Sequence, residues 1–223
     1  MLDRRTLFWG ALAMPASGVA RPVAAASWGQ DFAVSREGSP IGRHGLRFTQ
    51  DGARTTAEIT IELQVKVAFI TVYRYRHVNR EIWDGDDLLS FASRTDDNGT
   101  AHRVQARRSG DRILVESDQG TVEAPADALP TTYWHRRFLD RPRWIDTQNG
   151  RLLSCSVSSR GVERIRTLDR EVAADRFAVA GDLQLDLWYV GEQWVKLAFP
   201  GPDGTPIDYR LQRSDRLPVA TAS

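Results

Sequence analysis

Apolar and polar residues alternate along most of this chain with a period of two. Ala57, Ile59, Ile61, Leu63, Val65 and Val67 are apolar, and Glu58, Thr60, Glu62, Gln64 and Lys66 stand between them. Successive side chains of an extended chain point to opposite faces. The pattern therefore predicts an antiparallel strand with one face on a core and the other in water. Shorter versions recur at Phe32 and Val34, at Leu46 and Phe48, and at Tyr73, Tyr75 and His77. Others follow at Leu183, Leu185 and Leu187, at Val195 and Leu197, and at Ile207, Tyr209 and Leu211. Turn pairs separate these runs, among them Asp51-Gly52, Asp84-Gly85, Asn98-Gly99, Gln119-Gly120, Gly191-Glu192 and Asp203-Gly204. Such pairs supply the backbone conformations that tight hairpins need. Spaced at roughly ten residues, they predict a meander of about a dozen or more strands. The expected fold is all-β: a long antiparallel up-and-down meander, strongly curved into a closed or nearly closed barrel, because a long sheet must manage its edges. The stretch 126–142 breaks the pattern, and a short helix around Leu129–Arg136 is expected there.

The N-terminus follows another rule. Asp3-Arg4-Arg5-Thr6-Leu7-Phe8 leads into an uncharged apolar run to Val19, and small residues close the segment at Ala24-Ala25-Ala26. Charged, apolar and small-residue regions in that order form a secretory signal. The pair Arg4-Arg5 marks its twin-arginine form. Cleavage is expected after Ala26, with Ala20 as the alternative. The apolar run is shorter than the roughly 18 residues a spanning helix requires, so no transmembrane segment is expected in the mature protein. The chain thus divides into a leader 1–26, one β domain 27–213 and a tail 214–223 that frays. The expected location is periplasmic or otherwise exported.

Charge and cysteine content narrow the chemistry. The leader holds three arginines and one aspartate, so its removal takes the formal net charge from +1 to −1. Without a basic excess, nucleic-acid binding is not expected. Cys155 is the single cysteine, so an internal disulfide cannot form. It alternates with Leu153 and Val157 and reads as a small core residue. The histidines, His44, His77, His102 and His135, show no metal-ligand spacing, and His77 with Glu81 and Asp84 reads as ordinary hydrogen bonding. No nucleophile elbow or phosphate-binding glycine loop occurs. Asp86-Asp87 and Asp96-Asp97 sit at hairpin ends, where aspartates form turns. No cofactor and no catalytic residue is assigned.

Several segments together carry a resemblance. Phe32-Ala33-Val34 precedes Gly38-Ser39-Pro40-Ile41-Gly42, and Tyr75-Arg76-His77 precedes Glu81-Ile82-Trp83-Asp84-Gly85. Thr95-Asp96-Asp97-Asn98-Gly99, Tyr133-Trp134, Ile145-Asp146-Thr147-Gln148-Asn149-Gly150 and Leu187-Trp188-Tyr189 follow. Over nearly the whole mature chain the sequence resembles a family of exported proteobacterial proteins catalogued only as a domain of unknown function. The resemblance implies an exported β-rich protein and brings no catalytic residue with it.

The binding surface expected from the residues is the irregular stretch. Segment 133–144 combines Tyr133, Trp134, Phe138 and Trp144 with Arg136, Arg137, Arg141 and Arg143, and Asp146 follows before a turn. Loops on rigid β scaffolds often carry function. Aromatics with guanidiniums there suit an amphipathic ligand with an anionic head at a barrel mouth. The alternative for these residues is core packing for the aromatics, ion pairing for the arginines and turn capping for Asp146. Three function classes follow: a binding or carrier protein for an apolar or lipid-like molecule, an envelope structural or interaction module, and a hydrolase. The first needs an internal cavity open to solvent, the second an exposed apolar patch or edge, the third convergent polar groups in a cleft.

Overall fold

A computed structural model describes residues 25–217. Arg4, Arg5 and the expected leader up to residue 24 lie outside the described residues, as does the chain from residue 218. The described residues form one fifteen-stranded sheet. Its strands are β1 (Ala26–Arg36), β2 (Ser39–Asp51), β3 (Arg54–Val67), β4 (Ile70–Asp84), β5 (Asp87–Asp97), β6 (Thr100–Ser109), β7 (Arg112–Ser117) and β8 (Gly120–Pro125). There follow β9 (Leu129–Pro130), β10 (Arg143–Ile145), β11 (Leu152–Thr167), β12 (Arg170–Gly181), β13 (Leu185–Val190), β14 (Gln193–Pro200) and β15 (Pro206–Ser214).

The spatial order runs from β8 down to β1, then from β15 down to β9. Two meanders are therefore sealed by pairing of the first strand with the last, Phe32 opposite Leu211 and Val34 opposite Tyr209. The edges that remain are β8 and β9, neighbours in sequence, so the sheet curls into a nearly closed barrel with a single seam. Residues of the alternating inner faces, such as Phe32, Leu46, Ile59, Val104, Val115, Leu187 and Leu211, form one continuous core. No helix among the described residues is long and apolar enough to cross a membrane.

The helix expected around Leu129–Arg136 is replaced by other structure. Leu129–Pro130 pairs in parallel with Trp144-Ile145, and the helical turn is a 3-10 turn at Arg136–Asp140. Pro130 has no N–H to donate, and the β-branched Thr131-Thr132 favour extended backbone. The segment 126–151 then acts as a plug rather than a surface loop. Phe138 stacks on Trp144 with ring centroids 3.7 Å apart, and both are buried. The Trp144 indole N–H donates to the Arg141 carbonyl at 2.7 Å. At Gly150 the plug meets the inner face of β6 and β7. Its φ is 82°, and a Cβ there would lie 2.8 Å from Ser117 Cβ, so only glycine allows this approach.

At the end of the described residues, β15 runs to Ser214. Asp215 Oδ2 accepts the Gly29 N–H at 2.8 Å, the Asp215 N–H donates back to the Gly29 carbonyl, and Leu217 is buried. The expected tail is thus held to the barrel through Leu217.

Candidate functional site

The two ends of the barrel differ. One carries the β2–β3, β4–β5, β6–β7 and β13–β14 turns, and the 3-10 turn fills it. Arg137 pairs there with Asp86, Arg141 with Asp127, and Arg136 with Asp175 and the Gly191 carbonyl. The β11–β12 hairpin folds across the same end, where Thr167 Oγ1 donates to the Leu211 carbonyl at 2.8 Å. The other end carries the β1–β2, β3–β4, β5–β6, β12–β13 and β14–β15 turns. It opens into a cavity of about 750 Å³.

Alternation places the cavity walls. β3 turns Ile61, Leu63 and Val65 inward, β4 turns Tyr73, Tyr75 and His77 inward, and Leu197, Phe199, Ile207 and Tyr209 face them from β14 and β15. Thr131, Tyr133, Asp146 and Gln148 of the plug complete the lining. The lining is mostly apolar, and three of its polar side chains, Tyr73, Asp97 and Gln148, are joined by hydrogen bonds. The Tyr73 hydroxyl donates to Asp97 Oδ1 at 2.8 Å, Gln148 Nε2 donates to Asp97 Oδ2 at 3.1 Å, and the Tyr75 hydroxyl donates to Gln148 Oε1 at 3.2 Å. This chain ties β4, β5 and the plug together. Burial pushes the Tyr73 and Tyr75 hydroxyls above the ordinary phenol range, so they stay protonated. Arg36 pairs with Asp203 on the rim.

Two features hold the plug. Tyr133 has φ 61°, and the Trp134 N–H donates to the Thr132 carbonyl at 2.8 Å across it. That is a γ-turn of the strained kind, costing about 1–3 kcal/mol at a bulky residue. The Tyr189 hydroxyl donates to the Tyr133 carbonyl at 2.6 Å and helps to maintain it. Below, Glu81 is fully buried and serves as the acceptor for the plug. Its Oε2 receives the indole N–H groups of Trp134 at 2.8 Å and Trp83 at 2.9 Å, and Oε1 receives Asn79 Nδ2 at 3.0 Å. Burial raises the Glu81 pKa, and these donors act against that rise.

At the inner end of the cavity, Phe32, His44, Ile61, His77 and Thr95 form one row across β1 to β5. His77 Nδ1 hydrogen-bonds Thr95 Oγ1 at 2.8 Å. His44 is buried edge-on among rings, 5.3 Å from the Trp194 centroid and 5.7 Å from Tyr209, with neither nitrogen hydrogen-bonded. Burial lowers its pKa to about 3, helped by His77, whose own pKa burial lowers to about 4. Both imidazoles are neutral near pH 7.

The residues expected to bind ligand are split by this geometry. Tyr133 and Asp146 line the cavity. Trp134 and Trp144 lie in and under the plug. Arg136, Arg137 and Arg141 project from the opposite end, each against a carboxylate. Asp146 Oδ1 accepts the Gln148 N–H at 2.8 Å and so shapes the turn that presents Gln148, while burial raises its pKa. Cys155 is half-buried, with its thiol pKa pushed up by burial. No three His, Cys, Asp or Glu side chains among the described residues gather to hold a metal ion. Gln148 is not singled out by the sequence as a lining residue, Asp97 reads there as a turn former, and Glu81 reads as an ordinary hydrogen-bonding group beside His77, whereas its partners are Trp134, Trp83 and Asn79. The shared face of Tyr73, Tyr75 and His77 was the available signal, since it puts three hydrogen-bonding side chains on the inner side of one strand.

The chain matches a family described as a domain of unknown function (DUF6134) over residues 32–212, and it belongs to that family. Among solved structures it is similar to the beta-barrel-like protein of the domain of unknown function DUF1849 from Brucella abortus. The TM-score is 0.62 at 10% identity, covering 88% of this chain and 98% of that one. At that identity the likeness concerns the fold alone. No curated protein matches the chain.

Proposed function

We propose that this member of the DUF6134 family is a binding or carrier protein for one apolar or amphipathic molecule, working outside the cytoplasm after twin-arginine export. The observation that carries the reading is the cavity. It measures about 750 Å³, within the range of small-molecule sites, and combines apolar walls with a few fixed polar groups. It is plugged at one end and open at the other, the layout of a container rather than a channel. The ligand's apolar body lies against Ile61, Leu63, Leu197 and Ile207, and its polar end meets the rim near Asp97, Gln148 and Arg36. The arginines of the 3-10 turn stand at the far end and are not part of this contact set.

The test is native mass spectrometry of the protein purified from its own cells, followed by solvent extraction and titration with the apolar dye N-phenyl-1-naphthylamine. A co-purifying amphiphile, one saturable dye site, and loss of that site on Leu63→Trp support the reading. A protein that emerges bare and takes up no dye overturns it.

A further inference from the structure

The β3–β4 hairpin is longer than its neighbours. β3 pairs with β2 only as far as Leu63, opposite Gly42, and β4 pairs with β5 only as far as Tyr75, opposite Asp97. Beyond those rungs β3 and β4 form a ladder only with each other, and the last backbone tie to a neighbour is the Asn98 N–H, which donates to the Arg74 carbonyl at 2.8 Å. Four residues on β3, at about 3.3 Å each, carry the tip roughly 13 Å past the last rung with β2. The tip is apolar where it meets water. Phe69 is 100% exposed, Ile70 71%, Val67 61% and Val72 50%. Among the described residues the other exposed large apolar ones, Val78, Val122 and Val162, are far apart in sequence and lie on separate strands. A cluster of this kind on a projecting tip marks an interaction site.

Its charge identifies the partner. From Leu63 to Arg80 the chain has Lys66, Arg74, Arg76 and Arg80 and no carboxylate. Arg76 and Arg80 lie beside Glu62 and Glu58 on β3. Lys66 and Arg74 flank the apolar tip. Aromatic and aliphatic side chains bordered by cations match an anionic membrane surface, where the apolar groups enter the headgroup region and the cations meet phosphates. The tip also stands at the cavity mouth, since Val65, Val72 and Tyr73 of the same hairpin line the cavity.

We propose that the β3–β4 tip docks this protein onto an anionic lipid bilayer, with Phe69, Ile70, Val67 and Val72 inserted, Lys66 and Arg74 against the headgroups, and the cavity mouth turned toward the membrane. The docking does not depend on what fills the cavity. It is tested by flotation of the protein, as isolated from its own cells, with vesicles of phosphatidylethanolamine and phosphatidylglycerol, compared with phosphatidylcholine alone. The wild type floats with the anionic vesicles and is released by high salt. The double variant Phe69→Asp/Ile70→Asp loses roughly tenfold or more in partitioning. Val162→Asp, at an exposed valine elsewhere, partitions as the wild type does. Thermal unfolding and dye uptake stay unchanged in both variants, which separates docking from cavity binding. Three results overturn the proposal: no flotation of the wild type, equal flotation of the double variant, or a double variant that changes only self-association in vesicle-free ultracentrifugation, which assigns the tip to a second copy of the chain.

Discussion

Replacing His44 by Phe changes how stability depends on pH, and the size follows from burial. The imidazole lies among Phe32, Trp194 and Tyr209 with no hydrogen bond, and its pKa falls from 6.5 to about 3. Between those values the unfolded chain carries a proton that the folded chain lacks. Stability contributed by the neutral imidazole is therefore complete above pH 6.5 and declines as pH falls toward 3. Each pH unit is worth about 1.4 kcal/mol, so at pH 5 the wild type loses about 2 kcal/mol through His44 alone. Phenylalanine carries no such proton and fills nearly the same space between the rings. Urea unfolding of both proteins at pH 7.5 and pH 5 gives four free energies. The advantage of His44→Phe over wild type grows by about 2 kcal/mol on going to pH 5, about 1 M in urea midpoint for a typical slope. Glu81 and Asp146 are shifted upward by burial, so their contribution to stability rises as pH falls. Comparing two proteins at two pH values cancels both groups, and it cancels packing differences that do not depend on pH. An advantage that is the same at both pH values refutes the assignment of His44 as a buried neutral imidazole.

Other consequences concern the plug and the leader. Glu81→Ala leaves the indole N–H groups of Trp83 and Trp134 without an acceptor and lowers stability by roughly 2–5 kcal/mol in urea unfolding. Glu81→Gln keeps one acceptor oxygen and loses distinctly less, because a flipped Asn79 amide can accept from the new NH₂ through its unpartnered oxygen. Arg136→Ala removes the contacts to Asp175 and the Gly191 carbonyl and the cation over Phe177 and Tyr189. It costs about 1–2 kcal/mol by thermal or urea unfolding and leaves dye binding in the cavity unchanged. The proposed twin-arginine route predicts that Arg4→Lys with Arg5→Lys stops export, read by cell fractionation, while the same protein still folds in the cytoplasm.

The period-two pattern, the spacing of glycine turns and the lack of amphipathic helices determine an antiparallel meander by local rules alone, because side-chain alternation and turn geometry need only neighbouring residues. They also place Tyr73, Tyr75 and His77 on one face, which proves to be the cavity wall. What local rules cannot supply is which distant strands close the barrel. Pairing of β1 with β15 sets the curvature and leaves a seam between β8 and β9, and only then does the irregular stretch have an interior to fill. Read locally, Tyr133, Trp134 and the arginines look like one amphipathic loop. Burial around the seam separates them, drawing the rings to Glu81 and the core and leaving the guanidiniums to carboxylates at the far end. The length of the β3–β4 hairpin was visible in the alternation running to Val67, but its exposure depends on where β2 and β5 stop pairing. The cavity belongs to the tertiary structure for the same reason: its volume is what remains when a curved sheet and a plug of fixed size are packed together.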